Sequence, residues 1–383
     1  MKVDVVIVGA RCAGAATGLL LARAGARVVV VDRGRYGTDT LSTHALMRGA
    51  VLQLHRWGVL PAIVEQGTPR VTATVFGYSH EDVTVPIEPK YGVDALYAPR
   101  RTLLDGLLSA VAVESGAEVV YGVSVDGLLT GADGRVRGVT ATAGGGRHTI
   151  EADLVIGADG LYSTIARRAG AEPIVTGRHA AAVLYSYWQG IPEKHYHWIF
   201  RAGGSIGAIP TNDATCVFVS VPDSQFKAQV RGDATAAYHR LLREICPEFA
   251  AGLESATRVE PVRGFGGHPG FIKRSTGPGW ALVGDAGYFK DPATAHGITD
   301  ALRDAELLAR AVMTGTAAAM DQFEATRLEL SRRLFEITDE IASFECSDAR
   351  LQSLHREFSR EMSREVRALA ALEPFPCASP SAA

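Results

Sequence analysis

The sequence predicts an α/β protein: a Rossmann-like nucleotide-binding domain, a second domain built on a mostly antiparallel sheet, and C-terminal helices. Three observations carry this. A β-branched run leads into a Gly-rich loop, a helix and a second strand that ends in Asp32. The same style, an apolar strand running into Gly and Asp, recurs at residues 154–160 and 280–287. Between those two, from about Val175 to Gly264, the texture changes to successive aromatic-rich strands.

The first unit justifies the Rossmann assignment. Val3, Val5, Val6, Ile7 and Val8 form the short apolar run that a buried parallel strand needs. Gly9-Ala10-Arg11-Cys12-Ala13-Gly14 makes a tight loop. Residues 15–24 then read as a helix, with Leu19 and Leu20 as its large apolar groups and Gly25 as its stop. Val28 to Val31 is the second strand. Asp32 follows about 20 residues after the loop, the spacing of the dinucleotide fingerprint. A pyrophosphate would sit over unpaired N–H groups at the positive end of a helix dipole. The carboxylate would accept hydrogen bonds from a ribose diol. Arg11 replaces the middle glycine of G-x-G-x-x-G. It either points outward and adds positive charge near the ligand, or it leaves the loop unable to bind.

A chain of 383 residues with 47% hydrophobic content is long enough for two domains. A net charge of −3 offers no basic excess for nucleic acid and no polybasic run for a lipid surface. No stretch reaches the roughly 18 apolar residues of a membrane span. Asp4 interrupts the N-terminal apolar run, which argues against a signal peptide. Cys12, Cys216, Cys246, Cys346 and Cys377 show neither C-x-x-C nor Cys/His ligand spacing. No metal site and no disulfide framework are therefore expected, and a reducing cytoplasm fits.

The remaining elements follow in order. Past the turn at residues 33–37, four Thr or Ser residues and His44 crowd residues 38–44, more than one helix cap uses. A helix then runs through Met47, Val51, Leu54 and Leu60. Residues 71–85 alternate around residues 77–81 as a hairpin. A helix over 102–114 and strands at 118–121, 136–142 and 148–150 come next, with Gly-rich turns between the strands. Ser163 caps a helix over 165–169. Strands at 182–187, 195–200, 204–209 and 215–221, with a helix over 235–245, carry Tyr185, Tyr187, Trp188, Tyr196, Trp198 and Phe200. Phe323, Leu330, Leu334, Ile337, Ile341 and Phe344 mark one face of the closing helical region. The Pro/Ser/Ala-rich tail is expected to be disordered.

Three separated motifs, in order, resemble the flavoprotein monooxygenases of the para-hydroxybenzoate hydroxylase fold, a group that also holds flavin halogenases and geranylgeranyl reductases. They are the Gly loop with Asp32, Asp159-Gly160 with Ser163 and Arg167, and Gly284-Asp285-Ala286 with Pro292 and Gly297 downstream. Arg101-x-x-Leu104-Asp105 matches as well, and the likeness covers most of residues 1–310. The W-x-W-x-I-P signature of tryptophan-type halogenases is not met; only Ile191-Pro192 survives.

The resemblance implies FAD, and it implies roles. Gly9, Cys12, Ala13 and Gly14 would line the pyrophosphate. Asp32 would bind the adenosine ribose with Arg33 beside it, and Val125 would touch adenine. Arg101 would lie near the ribityl and phosphate, and Asp285 on the ribityl chain or a pyrophosphate-bound water. Pro292, Gly297 and Ile298 would border the isoalloxazine. His296 stands where relatives often carry Gln; it sits near the flavin's pyrimidine side or fills the gap. Residues 1–70, 98–174 and 265–320 would form a discontinuous FAD-binding domain and 71–97 with 175–264 the substrate domain. Residues 321–372 would be C-terminal helices, and 373–383 the tail.

The expected activity is that of a monooxygenase hydroxylating an aromatic or polyketide-like small molecule through a flavin C4a-hydroperoxide. Molecular oxygen is the co-substrate. NAD(P)H supplies electrons, directly or through a separate flavin reductase. Such chemistry needs a dry pocket and a group that orients or deprotonates a phenol. His44, Tyr187 and Trp198 are the candidates, His44 because imidazole titrates near neutrality. Two other readings stand: a reductase of prenyl-chain double bonds, and a non-catalytic flavin-binding protein.

Overall fold

The computed structural model describes residues 2–230 and 233–376. Its first sheet is centred on Lys2–Val8, which pairs in parallel with Val28–Asp32 on one side and with Gly146–Gly157 on the other. Glu118–Tyr121 and Trp280–Leu282 extend the parallel set outward. Val5, Ile7, Val28 and Val30 share a core with Leu19 and Leu20 of the helix Cys12–Arg23. Val3, Val6, Val8, Val29 and Val31 face a separate core on the opposite side. Burial on both faces is why these strands are unbroken apolar runs in the sequence.

The strands expected at 148–150 and 154–157 are a single strand of 12 residues. Its first half pairs antiparallel with Val136–Ala143, and its second half enters the parallel sheet. Ser124–Thr130, absent from the sequence reading, completes that meander against Val136–Ala143. Its alternation is hidden by Asp126 and Gly127 at a register shift. The helix expected through Leu60 is broken at Gly58 (φ 74°) into Arg48–Arg56 and Leu60–Glu65.

The second sheet places Ala181–Gln189, Ala214–Pro222, Gly204–Thr211 and Tyr196–Arg201 side by side, antiparallel. The hairpin of Ala73–Gly77 and Asp82–Pro86 joins it at the far edge, with Ala73–Gly77 parallel to Tyr196–Arg201. Tyr185, Phe218, Gly207, Trp198 and Phe76 form one cross-strand row. A Cβ on Gly207 would lie 2.1 Å from the Phe218 ring, so glycine there makes room for the aromatic. The other face of the sheet is covered by Tyr238, Leu241 and Leu242 of the helix Ala234–Ile245.

The helix Gly297–Thr314 packs along Cys12–Arg23, and the long helices Ala317–Ile341 and Asp348–Ala370 pack on each other. Phe344, expected on the helical face, sits instead in the turn between those two, at φ 56°. Arg56 and Arg310 donate to the Glu373 carbonyl, so the start of the expected disordered tail is tied down. Residues 377–383, with Cys377, lie outside the described residues. Among the described residues no helix is long and apolar enough to cross a membrane.

Candidate active site

The Gly loop is built on two obligatory glycines. A Cβ on Gly9 (φ 108°) would lie 2.3 Å from the Ala158 carbonyl oxygen, and one on Gly14 would lie 1.8 Å from that of Gly9. Arg11 caps the following helix at φ −85°, ψ −174°, extended backbone that any residue adopts. Its position therefore needs no glycine, and its half-buried side chain lines a small cleft with Asp32, Arg35, Thr38 and Tyr121. Arg11 thus puts a positive charge in the lining of the cleft. Asp32 accepts from the N–H groups of Ala10 (2.8 Å) and Gly34 (2.6 Å), which fix the carboxylate at the strand end. Arg33 is exposed and Arg35 takes the place beside the cleft. Val125 packs on the Val3 and Val6 core and is not among the residues lining the cleft.

The helix Arg101–Glu114 enters at this loop. The Cys12 N–H donates to Asp105 (3.1 Å), whose carboxylate pairs with Arg101 at 2.9 Å. Arg101 also reaches the Cys12 sulfur at 3.5 Å. Burial pushes the Cys12 thiol up to about 11, so it packs rather than reacts. Gly284 (φ 56°) brings the third loop against the first helix, since a Cβ there would be 3.0 Å from that of Ala13. Asp285 follows it. Burial pushes its carboxyl up to about 7, with Arg101 pulling down and Asp300 and Asp304 adding to the rise.

At the other end, Asp291 accepts from the N–H groups of Ala181 (2.6 Å) and Ala293 (2.9 Å) and fixes the turn that starts at Pro292. Ala295 is left-handed (φ 49°), Ile298 is buried, and Gly297 is exposed with open space where a Cβ would be. The His296 ring is 1% exposed, at ion-pair distance from Asp300 (3.3 Å) and Glu365 (3.1 Å). Of its two alternatives, it fills the space behind the turn. A glycine cradle at one helix start, a carboxylate at a strand end and an open glycine at another helix start fit an extended dinucleotide such as FAD.

The third region lies where the loop after Asp32 meets the aromatic sheet. His44 Nε2 is 2.5 Å from the Tyr187 hydroxyl, and neither residue is exposed. His44 holds a left-handed backbone (φ 66°), with its own N–H donating to the Ser42 hydroxyl. Burial, then Arg100, Arg101 and Arg263, hold its pKa well below the usual imidazole range. The Arg100 guanidinium lies 3.4 Å from the Tyr187 ring centroid and pairs with Glu260. Arg263 pairs with Asp39 at 2.6 Å, clamping the loop to the sheet edge. Burial raises the Tyr187 hydroxyl far above the ordinary phenol value and the neighbouring Tyr185 up to about 12.

Trp198 is not brought to this pair. It lies in the row of Tyr185, stacked on Phe76 at 5.6 Å and edge-on to Tyr196 at 5.4 Å. Arg100 and Arg263 were not singled out in the sequence, and Tyr185 was named there only among the aromatic strand residues. The Arg100-Arg101 doublet was the available signal, but only Arg101 falls in a recognisable motif.

The family described as FAD binding domain matches residues 2–338. A 6-methylpretetramide 4-monooxygenase of Streptomyces rimosus is 28% identical over 318 residues, 79% of this chain and 73% of that protein. A digeranylgeranylglycerophospholipid reductase of Methanothrix thermoacetophila is 28% identical over 331 residues, 82% of this chain and 80% of that protein. Among solved structures, a flavoprotein/dehydrogenase from Cytophaga hutchinsonii superposes with a TM-score of 0.81 at 20% identity, over 96% of this chain and 92% of that one. The flavin-dependent halogenase CmlS superposes with a TM-score of 0.80 at 23% identity, over 94% of this chain and 67% of that one. These two show the fold alone.

Proposed function

The chain belongs to the FAD binding domain family and is an FAD-dependent oxidoreductase, and from that premise we propose that it hydroxylates an aromatic or polyketide-like small molecule with oxygen and NAD(P)H. The observation that carries this reading is the buried His44–Tyr187 contact under Arg100.

FAD, when bound, supplies the activation of oxygen. Gly9, Cys12, Ala13 and Gly14 would hold its pyrophosphate and Asp32 its adenosine ribose. Arg101 and Asp285 would flank the ribityl stretch, and Pro292, Gly297 and Ile298 would border the ring. The chain's own groups manage the proton. His44 is neutral, so Nε2 can accept the Tyr187 proton while Nδ1, which has no hydrogen-bond partner among the described residues, can pass one on. Tyr187 Oη in turn accepts from a substrate phenol. Arg100 over the ring, with Arg101 and Arg263 near by, favours negative charge on phenol oxygen and disfavours imidazolium. A phenol losing its proton becomes the electron-rich ring that oxygen transfer needs, and burial of the pair keeps water away.

The names of two relatives, menaquinone reductase of Mycolicibacterium smegmatis and the digeranylgeranylglycerophospholipid reductase, favour a second reading, reduction of isoprenoid double bonds. In that case Tyr187 Oη would deliver a proton. Oxygen uptake with NAD(P)H across a panel of phenols and prenylated alkenes separates the two. Uptake stimulated by a phenol supports hydroxylation, and anaerobic consumption of NAD(P)H with an alkene overturns it.

A further inference from the structure

At one end of the aromatic sheet lies a cavity of about 470 Å³, lined by none of the groups assigned to FAD and by neither His44 nor Tyr187. It opens where the strand Ala181–Gln189 ends and where Gly204–Thr211 turns into Ala214–Pro222. Gly190 (φ 85°) and Asp213 (φ 65°) bend the two turns at its mouth. Gln189 Nε2 ties those turns together by donating to the Asp213 carbonyl at 3.1 Å. Trp188, in the cavity wall, follows Tyr187 in the strand, so the two side chains point to opposite faces of the sheet.

The lining says what the cavity suits. Trp188, Ile191, Pro210 and Ala214 give it apolar walls. Thr211 gives it one buried polar point: the residue is 2% exposed, and its hydroxyl has no hydrogen-bond partner among the described residues. Buried polar groups in folded proteins are paired, so a hydroxyl left over in a cavity wall marks a place for an incoming partner. The charged groups at the rim select no ion. Arg70 is paired with Asp94 at 2.5 Å. Glu193 accepts from the N–H groups of Lys194 (2.9 Å) and His195 (2.8 Å) and faces the His197 ring at 3.2 Å. Lys194 and Asp213, one of each sign, complete the rim, and both are exposed. The volume falls within the roughly 300–1,000 Å³ of small-molecule pockets, which combine apolar walls with a few placed polar groups.

We propose that this cavity is a second small-molecule site, and that it takes a neutral fused-ring compound whose hydroxyl or carbonyl oxygen hydrogen-bonds Thr211. The apolar body of such a ligand removes water from the Trp188, Ile191 and Ala214 walls, and its oxygen completes the buried hydroxyl. The Gln189–Asp213 tie holds the mouth in shape before the ligand arrives, which lowers the ordering cost of binding. No step of the proposed hydroxylation passes through these residues, so the site stands apart from that reading.

The test is calorimetric titration of the FAD-loaded protein with decahydro-2-naphthol, a saturated two-ring alcohol that offers no phenol to hydroxylate. Saturable binding is expected. Thr211→Val keeps the shape of the side chain and removes its hydroxyl; affinity should fall about two- to tenfold, the loss of one hydrogen bond. Ala214→Phe fills the cavity and should abolish binding. Should that variant fail to fold, Ile191→Trp, which crowds the cavity from the half-exposed turn after Gly190, takes its place. Tyr187→Phe should leave the affinity unchanged, which places the probe away from the His44–Tyr187 pair. Decahydro-2-naphthoate, the charged analogue, should bind more weakly. Absence of saturable heat, an affinity that Thr211→Val or the filled cavity leaves unchanged, a loss in Tyr187→Phe, or equal or tighter binding of the carboxylate overturns the proposal.

Discussion

His44 Nε2 and the Tyr187 hydroxyl meet at 2.5 Å across 143 residues of sequence, joining the loop after the nucleotide-binding strand to the aromatic sheet. Neither residue belongs to a fingerprint motif; His44 lies in a loop and Tyr187 in the strand Ala181–Gln189. Their contact is the place where the fold brings a neutral base next to a buried phenol under a guanidinium.

Tyr187→Phe removes the hydroxyl and keeps the ring beneath Arg100. Turnover should fall by about 10²–10⁴-fold, the range of general acid–base contributions. FAD content should be unchanged, and stability should fall by only about 1 kcal/mol for the lost hydrogen bond. His44→Asn suits the left-handed backbone at φ 66° and should give a similar loss. Steady-state kinetics beside flavin absorbance check both; flavin loss in either would place the residue in cofactor binding instead.

Asp285 should trade stability against cofactor binding. Its carboxyl is raised to about 7 by burial, above the ordinary value of 3.8. The folded state therefore binds more protons than the unfolded one between about 4 and 7, and stability falls as pH rises through that window. Asp285→Asn should raise the Tm of the flavin-free protein at pH 8, with little change near pH 5, while weakening FAD binding. Calorimetry at the two pH values and a fluorescence titration with FAD check this.

Gly14→Ala and Arg11→Gly should behave oppositely. The first puts a methyl 1.8 Å from the Gly9 carbonyl oxygen and should cost about 1–3 kcal/mol and release FAD. The second restores a glycine where the backbone does not require one, so the fold should persist. Its one expected effect is weaker FAD binding at low salt, from loss of a cation in the cleft. Tm and FAD affinity at two salt concentrations distinguish the cases.

His355, from the helix Asp348–Ala370, lies against Phe200 (4.6 Å), Phe76 (5.1 Å) and Tyr78 and hydrogen-bonds the Tyr78 hydroxyl at 2.8 Å. Burial lowers its pKa to about 4. The unfolded state then binds more protons between about 4 and 6.5, so this residue's share of stability is lost as pH falls through that window. His355→Gln should flatten the acid side of the Tm profile between pH 6.5 and 4.

What was legible in the sequence follows from how local each signal is. The run from Val3 to Asp32 declares itself because strand, loop and helix succeed one another within 30 residues, and Gly9 and Gly14 are demanded by backbone contacts inside that unit and with Ala158. The aromatic strands were readable for the same reason, by alternation over a few residues. Ser124–Thr130 was hidden by a register shift, and the strand Gly146–Gly157 was split in the reading because its two halves pair with different partners. Arg100, Arg263 and Glu365 could not be assigned from sequence at all. Each acquires its meaning from a partner more than 60 residues away: Arg100 from Glu260, Arg263 from Asp39, and Glu365 from Arg303.

The most direct test of the central claim is oxygen and NAD(P)H consumption by the FAD-loaded protein, with and without each of a set of phenols, followed by mass analysis of the products. The account predicts that at least one phenol stimulates both rates and gains one oxygen atom, and that Tyr187→Phe abolishes the gain while staying yellow. A yellow protein that hydroxylates no phenol in the set and instead saturates a prenyl double bond without oxygen would contradict it.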